Sequence, residues 1–585
     1  MNVFEKLYRF YATNKGLFGP FGCSETGISR VIVIDTEGRF IRLEERFSED
    51  GKKAQTFVTK RGVSRTSGNK PNHLWDNETY VLGFKPVDDK DDNGKVIGRH
   101  IVRDTENGTL YERKRLFVED IKKTLSRHPE NATLNAVIKF YENGLESLFA
   151  SDELATWIEG KTTFGNVTFM LDGEDRVLAE MTELFDIEPD SESADQVCGI
   201  TGVLCHPKET HGVVPAIVKP GIQAPAISFN SPSYCYNGKK QGENAPVSEE
   251  AEFGYTSALK YLTNKNNGHS FYIESNIIVF WPDTKTETSD AALRSLAELV
   301  GMKAYDDNGE EEVVKTLKSI YTGVLPSSMD DIINIVIFDK KERPRIKYMA
   351  EKPVKEFAGQ ILRHFEDTRL KNVKQPYQGI ESVRKTISGG KNPLPSSFID
   401  RLVFAILNGY PYPRAIYQKC IEKVMSDSYD NGKKYAPATI AFIKGFLNRN
   451  MSLNIKESMD KTNNSTPYLL GRLFAIYELI QEKTSNGTQH TVREHNFRLA
   501  SMRPASAFPH LERLSIAHLS RMNSEKDMGL KVHYQRMIEE VMGMMTEPFP
   551  RQLSQFQQGE FIVGYYQQKQ ENFTPSDKKK EQASD

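Results

Sequence analysis

YLLGRLFAIYELIQE, residues 468–482, reads as one buried helix. Leu470, Leu473, Phe474 and Tyr477 recur at i, i+3, i+4 and i+7, the spacing that lines one face of an α-helix. The same period runs through RLVFAILNG (401–409), IAFIKGFLNR (440–449) and HLERLSIAHL (510–519). It returns in VHYQRMIEEVMGMM (532–545), where Tyr534, Met537, Ile538 and Val541 form a second stripe. Plain stripes of this kind belong to a bundle core rather than to a cofactor box. From about residue 396 strand signals vanish, so 396–572 is expected to be an all-α helical bundle, with a polar, disordered tail at 573–585.

Upstream the periods mix. Phe4, Leu7, Tyr8 and Tyr11 predict an amphipathic helix over 2–15, and RVIVIDTEGRFIRL (30–43) predicts a hairpin turning at Thr36-Glu37-Gly38. Residues 84–98, with Asp88, Asp89, Asp91 and Asp92 before Asn93-Gly94, are expected to be an exposed acidic loop. A helical segment follows over 111–150, then a strand in TFGNVTFML (163–171). Residues 197–247 are rich in Gly, Pro, Ser and Asn and read as a long irregular connection. A helix at 249–264, strands in NIIVFWPD (276–283), INIVIFD (333–339) and PRIKYMA (344–350), and a helix through HFEDTRL (364–370) complete the region. The expected fold class is an α+β multidomain body with a C-terminal all-α bundle, divided at 1–196, 197–395 and 396–572.

The 585 residues exceed one ordinary core, and 38% apolar with 27% charged residues is the composition of a globular chain. No apolar run reaches the length of a membrane span and MNVFEKLYRFY lacks a signal-peptide core, so a cytoplasmic protein is expected. The net charge of −2 argues against a stand-alone nucleic-acid binder. The charge is patchy, however. Gly51 to Trp75 contains no acid and carries Lys52, Lys53, Lys60, Arg61, Arg65 and Lys70; 211–242 is also acid-free and holds Lys219, Lys239 and Lys240.

Catalytic signatures are missing. Gly160-Lys161-Thr162 mimics the end of a phosphate-binding loop, but Ala155 stands where a glycine is needed, after a helical pattern and before a strand. There is no H-E-x-x-H, no G-x-S-x-G and no His-Asp doublet. Glu249-Glu250 reads as a solvated helix face. Cys198, Cys205, His206, His211 and Cys235 cluster in sequence at spacings unlike zinc sites, so neither metal nor other cofactor is expected.

Within the first acid-free segment, RTSGNKPNHLWDN (65–77) combines cations, a glycine and amides, the groups that meet phosphates, approach a backbone and pair with base edges. This wording resembles the S-G-x-K-P-N-x-L-x-D-N segment of the large subunit of type I-C CRISPR-Cas surveillance complexes (Cascade). Residues 228–262, SFNSPSYCYNGKKQGENAPVSEEAEFGYTSALKYL, resemble that family's F-N…Y-G-x-x-Q-x-x-N-A-P-V-S segment. YLLGRLFAIYELIQE and FPRQLSQFQQGEFIVGYYQQKQ (549–570) are similar to its C-terminal signatures, in the same order.

The resemblance implies a non-catalytic subunit at the foot of an RNA-guided complex. Its partners would be the CRISPR RNA-bound backbone and foot subunits, double-stranded target DNA, the displaced single strand and a helicase-nuclease. Guide pairing reads sequence in such a system, while protein reads the short protospacer-adjacent motif (PAM). In the first loop Lys70 and Asn72, flanking Pro71, are expected to face one groove, with Arg65 and Ser67 on phosphate and Gly68 and Asn69 in the turn; Asn72 as a local cap is the competing reading. Asn237, Gly238, Lys239, Lys240, Gln241 and Asn244 form a second element, facing either DNA or a sister subunit. Arg472, Arg493, Arg498 and Arg503 are candidates for a displaced-strand face, or are ordinary surface charges. Residues 451–585 resemble the part that relatives also translate from an internal start, here Met451 or Met459, as a free small subunit. An endoribonuclease that matures the guide, and a scaffold without DNA contact, are the alternative functions.

Overall fold

The computed structural model describes residues 2–48, 53–63, 65, 68–91, 94–104, 107–160, 165–185, 195–273, 275–286, 288–293, 309–322, 331–374, 376–388, 396–429, 435–485 and 491–573. The chain divides into two compact units, Met1–Tyr261 and Leu262–Asp585. The three-part division expected from sequence does not nest in these units, since 197–395 straddles Tyr261, and it stands as a proposal about folding units. Phe573, the first residue of the expected tail, still belongs to a helix; residues 574–585 and Ser67 lie outside the described residues.

The first unit is built on RVIVI. Strands are β1 Cys23–Ile28, β2 Arg30–Ile34, β3 Phe40–Glu45, β4 Gln55–Lys60, β5 Asp76–Asn77, β6 Phe84–Lys90, β7 Val96–Arg103 and β8 Asn166–Leu171. The central sheet has the order β3-β2-β8-β5; β2 pairs antiparallel with β3, as the predicted hairpin requires, and parallel with β8. All five residues of β2 are buried, because side chains alternate between two covered faces. Ile32 and Ile34 join Phe117, Ile121, Leu134, Val137 and Phe140 from the helical layer. Val31 and Val33 join Phe57, Trp75 and Met170 on the opposite side. That second cluster fixes the end of the candidate loop, since Trp75 is its last residue.

The acidic loop expected at 84–98 is instead a hairpin. β6 and β7 pair antiparallel, with Asp88 opposite Arg99 and Asp89 opposite Gly98, one step diagonal to His100. Arg99 Nε donates to Asp88 at 2.6 Å, and His100 Nδ1 meets Asp89 at 2.7 Å. The Arg99 ion pair and the His100 contact offset the poor strand propensity of aspartate.

In the second unit, β11 Ser270–Ile273, β12 Asn276–Pro282, β13 Ile332–Asp339 and β14 Arg345–Pro353 form an antiparallel meander; β9 Gln196–Val197 and β10 Leu204–Cys205 are a short pair in the first unit. Ile278, Phe280, Ile333, Ile335 and Ile337 share one continuous core with the helices that follow. Those helices include Val354–Thr368, Arg414–Asp427, Pro437–Met451, Thr466–Thr484, Val492–Met502, Pro504–Ser520, Glu525–Gly543 and Gln555–Phe573. The predicted bundle is present, and its core does not begin at residue 451. Tyr417 stacks on Phe446 at 4.1 Å and donates to the Gln555 carbonyl at 3.0 Å, which ties the last helix to residues before Met451.

Among the described residues no helix is long and apolar enough to cross a membrane.

A candidate nucleic-acid interface

β4 ends at Lys60, and the chain then crosses open polar ground to Trp75. Trp75 Nε1 donates back to the Lys60 carbonyl at 3.3 Å, and Thr168 Oγ1 of β8 donates to the Leu74 carbonyl at 2.9 Å. Both ends of the loop are thus pinned to the sheet.

Its side chains are sorted by Asp76, which is 1% exposed. The carboxylate accepts from the Asn72 and Asn77 backbone N–H groups and pairs with the Arg65 guanidinium. Burial raises the Asp76 pKa, and those hydrogen bonds and Arg65 work against it. Arg65 also donates to the Lys70 carbonyl at 2.9 Å and lies 4.1 Å over the Tyr80 ring. The guanidinium expected on phosphate is therefore engaged inside the loop.

Asn72 is turned inward as well. It is 7% exposed, and its Oδ1 accepts the Val63 N–H at 2.9 Å. The expectation that Lys70 and Asn72 face one groove is corrected: the amide holds the opposite side of its own loop, and Lys70 alone stays exposed. Asn69 accepts from Arg113 Nε at 3.1 Å. Gly68, at φ +78°, has no atom of the described residues beyond its chain neighbours within 4 Å of where a side chain would start, so its backbone is open on that side.

Behind Lys70 opens a cleft of about 550 Å³. It brings together Lys60, Arg61 and Lys70 from the first loop, His206, Lys208 and His211 from the long connection, and Glu249 and Glu252 from the helix Glu249–Thr263. At its floor Arg61 grips Glu252 with two bonds, 2.7 and 3.1 Å, across 191 residues of sequence. The Gly212 N–H donates to the same carboxylate at 2.7 Å. A Cβ at Gly212 would stand 1.6 Å from the Arg61 guanidinium, so a side chain there would push the guanidinium off its place on Glu252. His211 is 2% exposed and meets the Tyr255 hydroxyl at 2.6 Å. Burial first, then the charges of Arg61 and Lys208 against that of Glu252, bring its pKa down to about 4, so the imidazole is neutral. Lys208 pairs with Glu249 at the rim.

Sequence reasoning listed Arg61 only as one more cation and did not find Glu252, Gly212, His211 or Tyr255 as its supports. No local signal marks a partner 191 residues away.

The second candidate loop lies in the same unit and touches the same connection: the Gly242 N–H donates to the Glu209 carbonyl at 3.2 Å. Asn244 accepts the Tyr236 N–H at 2.7 Å and donates to the Gln241 carbonyl at 3.0 Å, so it is a staple. Asn237, Lys239 and Lys240 are exposed and Gln241 is half-buried.

The cysteine and histidine residues do not converge: among the described residues no three His, Cys, Asp or Glu side chains are placed to hold a metal ion. Burial disfavours the Cys198 thiolate, yet hydrogen bonds from Thr201, Ser248 and Ile200 bring its pKa down to about 7. Burial and then neighbouring Cys198 push Cys205 up to about 11. Cys235 instead donates to the Ser231 carbonyl at 3.5 Å.

In the second unit the four arginines part company. Arg472 is 2% exposed, bonded to Gln568 at 3.0 Å and Glu540 at 3.3 Å. Arg493, 5% exposed, donates to the Asp427 carbonyl at 2.9 Å and lies over Tyr435. Neither has surface to offer a phosphate, which corrects half of that expectation. Arg498 and Arg503 are exposed.

A family model, CRISPR-associated protein (Cas_Csd1), matches residues 7–573. The chain belongs to that family. Csd1-family membership makes it a CRISPR-associated protein of the type I-C large-subunit kind, and such subunits are generally non-catalytic. Among curated proteins none matches the chain.

Proposed function

We propose that this Csd1-family chain reads the PAM in duplex DNA, assists strand opening and steadies the displaced strand, without catalysing a reaction itself. The observation that best supports the reading is the arrangement around the cleft. An exposed ammonium, Lys70, and open backbone at Gly68 sit on a loop held in shape by Arg61, Arg65 and Asn72. A loop fixed before it meets a ligand loses little entropy on binding. Lys70 reaches acceptors in the major groove or a phosphate, and the weakly charged cleft behind it keeps nonspecific attraction low.

The wider partners follow from the same reading: the CRISPR RNA-bound backbone and foot subunits, a recruited helicase-nuclease, and a small subunit begun at Met451 or Met459. A fragment from either start would carry the Gln555–Phe573 helix without its Tyr417 and Phe446 neighbours, so in the complex that face needs a cover.

The test is binding of the assembled complex to duplexes with and without PAM, at fixed salt. Lys70→Ala is expected to weaken PAM-duplex binding about tenfold, in line with one lost base contact, and PAM-less binding far less. Equal losses reduce Lys70 to a backbone contact. Cleavage of guide precursor by the purified chain would instead favour the endoribonuclease.

A further inference from the structure

The sequence SPSYCYNGKK, residues 231–240, displays an aromatic ring to solvent on a turn of defined shape. Pro232–Tyr234 forms one 3-10 turn. The next closes where the Lys239 N–H donates to the Tyr236 carbonyl at 3.0 Å. Its two central residues, Asn237 at φ +50° and Gly238 at φ +74°, are both left-handed, the geometry Asn-Gly prefers. The Tyr236 N–H is held by Asn244, the Lys240 N–H donates to Glu243 at 2.7 Å, and Gly242 is seated on Lys208 and Glu209 so closely that a Cβ would lie 1.9 Å from the Lys208 carbonyl. The backbone on both sides of Tyr236 is fixed.

The ring itself is free. Tyr236 is 72% exposed, and among the described residues its side chain has no hydrogen bond or ring contact. Lys239 and Lys240, both exposed, follow within four positions and form no ion pair among the described residues. A tyrosine has two side-chain torsions, so ordering it costs little, and water gains from covering its faces. A paired base inside a duplex has both faces stacked and cannot receive it. An unpaired base can, and the two ammoniums then lie within reach of its phosphates.

We infer that Tyr236 stacks on an unpaired nucleobase where the duplex opens beside the PAM, with Lys239 and Lys240 on the adjoining phosphates. This rests on the reading of the chain as a PAM-duplex binder and adds the residue that holds the opened strand.

The experiment uses the assembled complex and three duplexes: PAM-bearing and mismatched to the guide, PAM-bearing and matched with 2-aminopurine beside the PAM, and one with a preformed bubble there. Tyr236→Ala is expected to lower 2-aminopurine opening and bubble binding about tenfold, the order of one base–aromatic stack, with mismatched PAM-duplex binding unchanged within about twofold. Tyr236→Phe should behave as wild type and Tyr236→Leu as the alanine variant, because the ring does the stacking. Lys239→Ala should reduce the salt slope of bubble binding by about one unit. Wild-type opening with Tyr236→Ala, or equal defects in the alanine and phenylalanine variants, overturns the inference. So does a variant chain that drops out of the complex on size exclusion, which would make the ring a protein contact. Failure of the PAM reading is separate: wild type would then bind PAM-bearing and PAM-less duplexes alike.

Discussion

The loops at 61–75 and 231–244 carry similar residues, lysines, asparagines and glycines, and spend them differently. The first invests most of its side chains in the fold: Arg61 in Glu252, Arg65 in Asp76, Asn69 in Arg113 and Asn72 in Val63. Among the described cations and amides of that loop, Lys70 is what remains. The second uses one amide, Asn244, to hold its backbone and leaves Tyr236, Lys239 and Lys240 outside. Polar residue types predict contact with a ligand only after the demands of the loop itself have been met.

The hardest blow to that contrast should fall on the first loop. Arg61→Ala leaves Glu252, 1% exposed, as a buried carboxylate with the Gly212 N–H, and a cost of about 3 kcal/mol is expected. Gly212→Ala should cost a similar amount by evicting the guanidinium. Urea unfolding followed by the fluorescence of Trp75 and Trp157 in a Trp281→Phe background reads the first unit; a loss under about 1 kcal/mol would mean water already reaches the pair.

Acid should separate the loops next. His211 has its pKa depressed by burial to about 4, so the unfolded chain takes up its proton first as pH falls. Its contribution is complete above about pH 6.5 and declines toward pH 4, a loss of about 2 kcal/mol at pH 5 from this group. Comparing wild type with His211→Gln at pH 7 and pH 5 isolates it. Equal pH dependence in both would place the titrating group elsewhere.

Asn72→Ala should cost about 1 kcal/mol and lower binding to PAM-bearing and PAM-less duplexes in equal proportion, since the amide acts through loop shape. A selective loss for PAM duplex would return Asn72 to the base edge. Smallest of all, Lys239→Ala with Lys240→Ala should leave stability within about 0.5 kcal/mol, as befits exposed side chains. A larger loss in unfolding midpoint would show that the second loop also spends its cations on the fold.

The sequence made the second unit easy to foresee and the site hard. Leu470, Leu473, Phe474 and Tyr477 are buried because a period of 3.6 residues is a property of the local chain. The β6–β7 hairpin was hidden because Asp88 and Asp89 contact Arg99 and His100, each eleven positions on, and only strand pairing brings them together. Asn72 and Lys70 differ by two residues in a strongly basic segment. What turns one inward is Asp76, whose own burial depends on the sheet, so no reading of residue types could separate them. Arg472 and Arg493 fail as surface charges for the same reason: their acceptors are Gln568 and Asp427, on other helices.

The bond between Arg61 and Glu252 also has a consequence in time. A ribosome makes Arg61 before Glu252, and the loop at 61–75 leaves the exit tunnel long before its anchor is polymerised. Until the helix Glu249–Thr263 emerges, Arg61 has no carboxylate to grip and the 206–212 segment has nothing to close over. The cleft is therefore among the last features of the first unit to take shape, and a message broken before codon 252 would yield a loop complete in composition and unformed in shape.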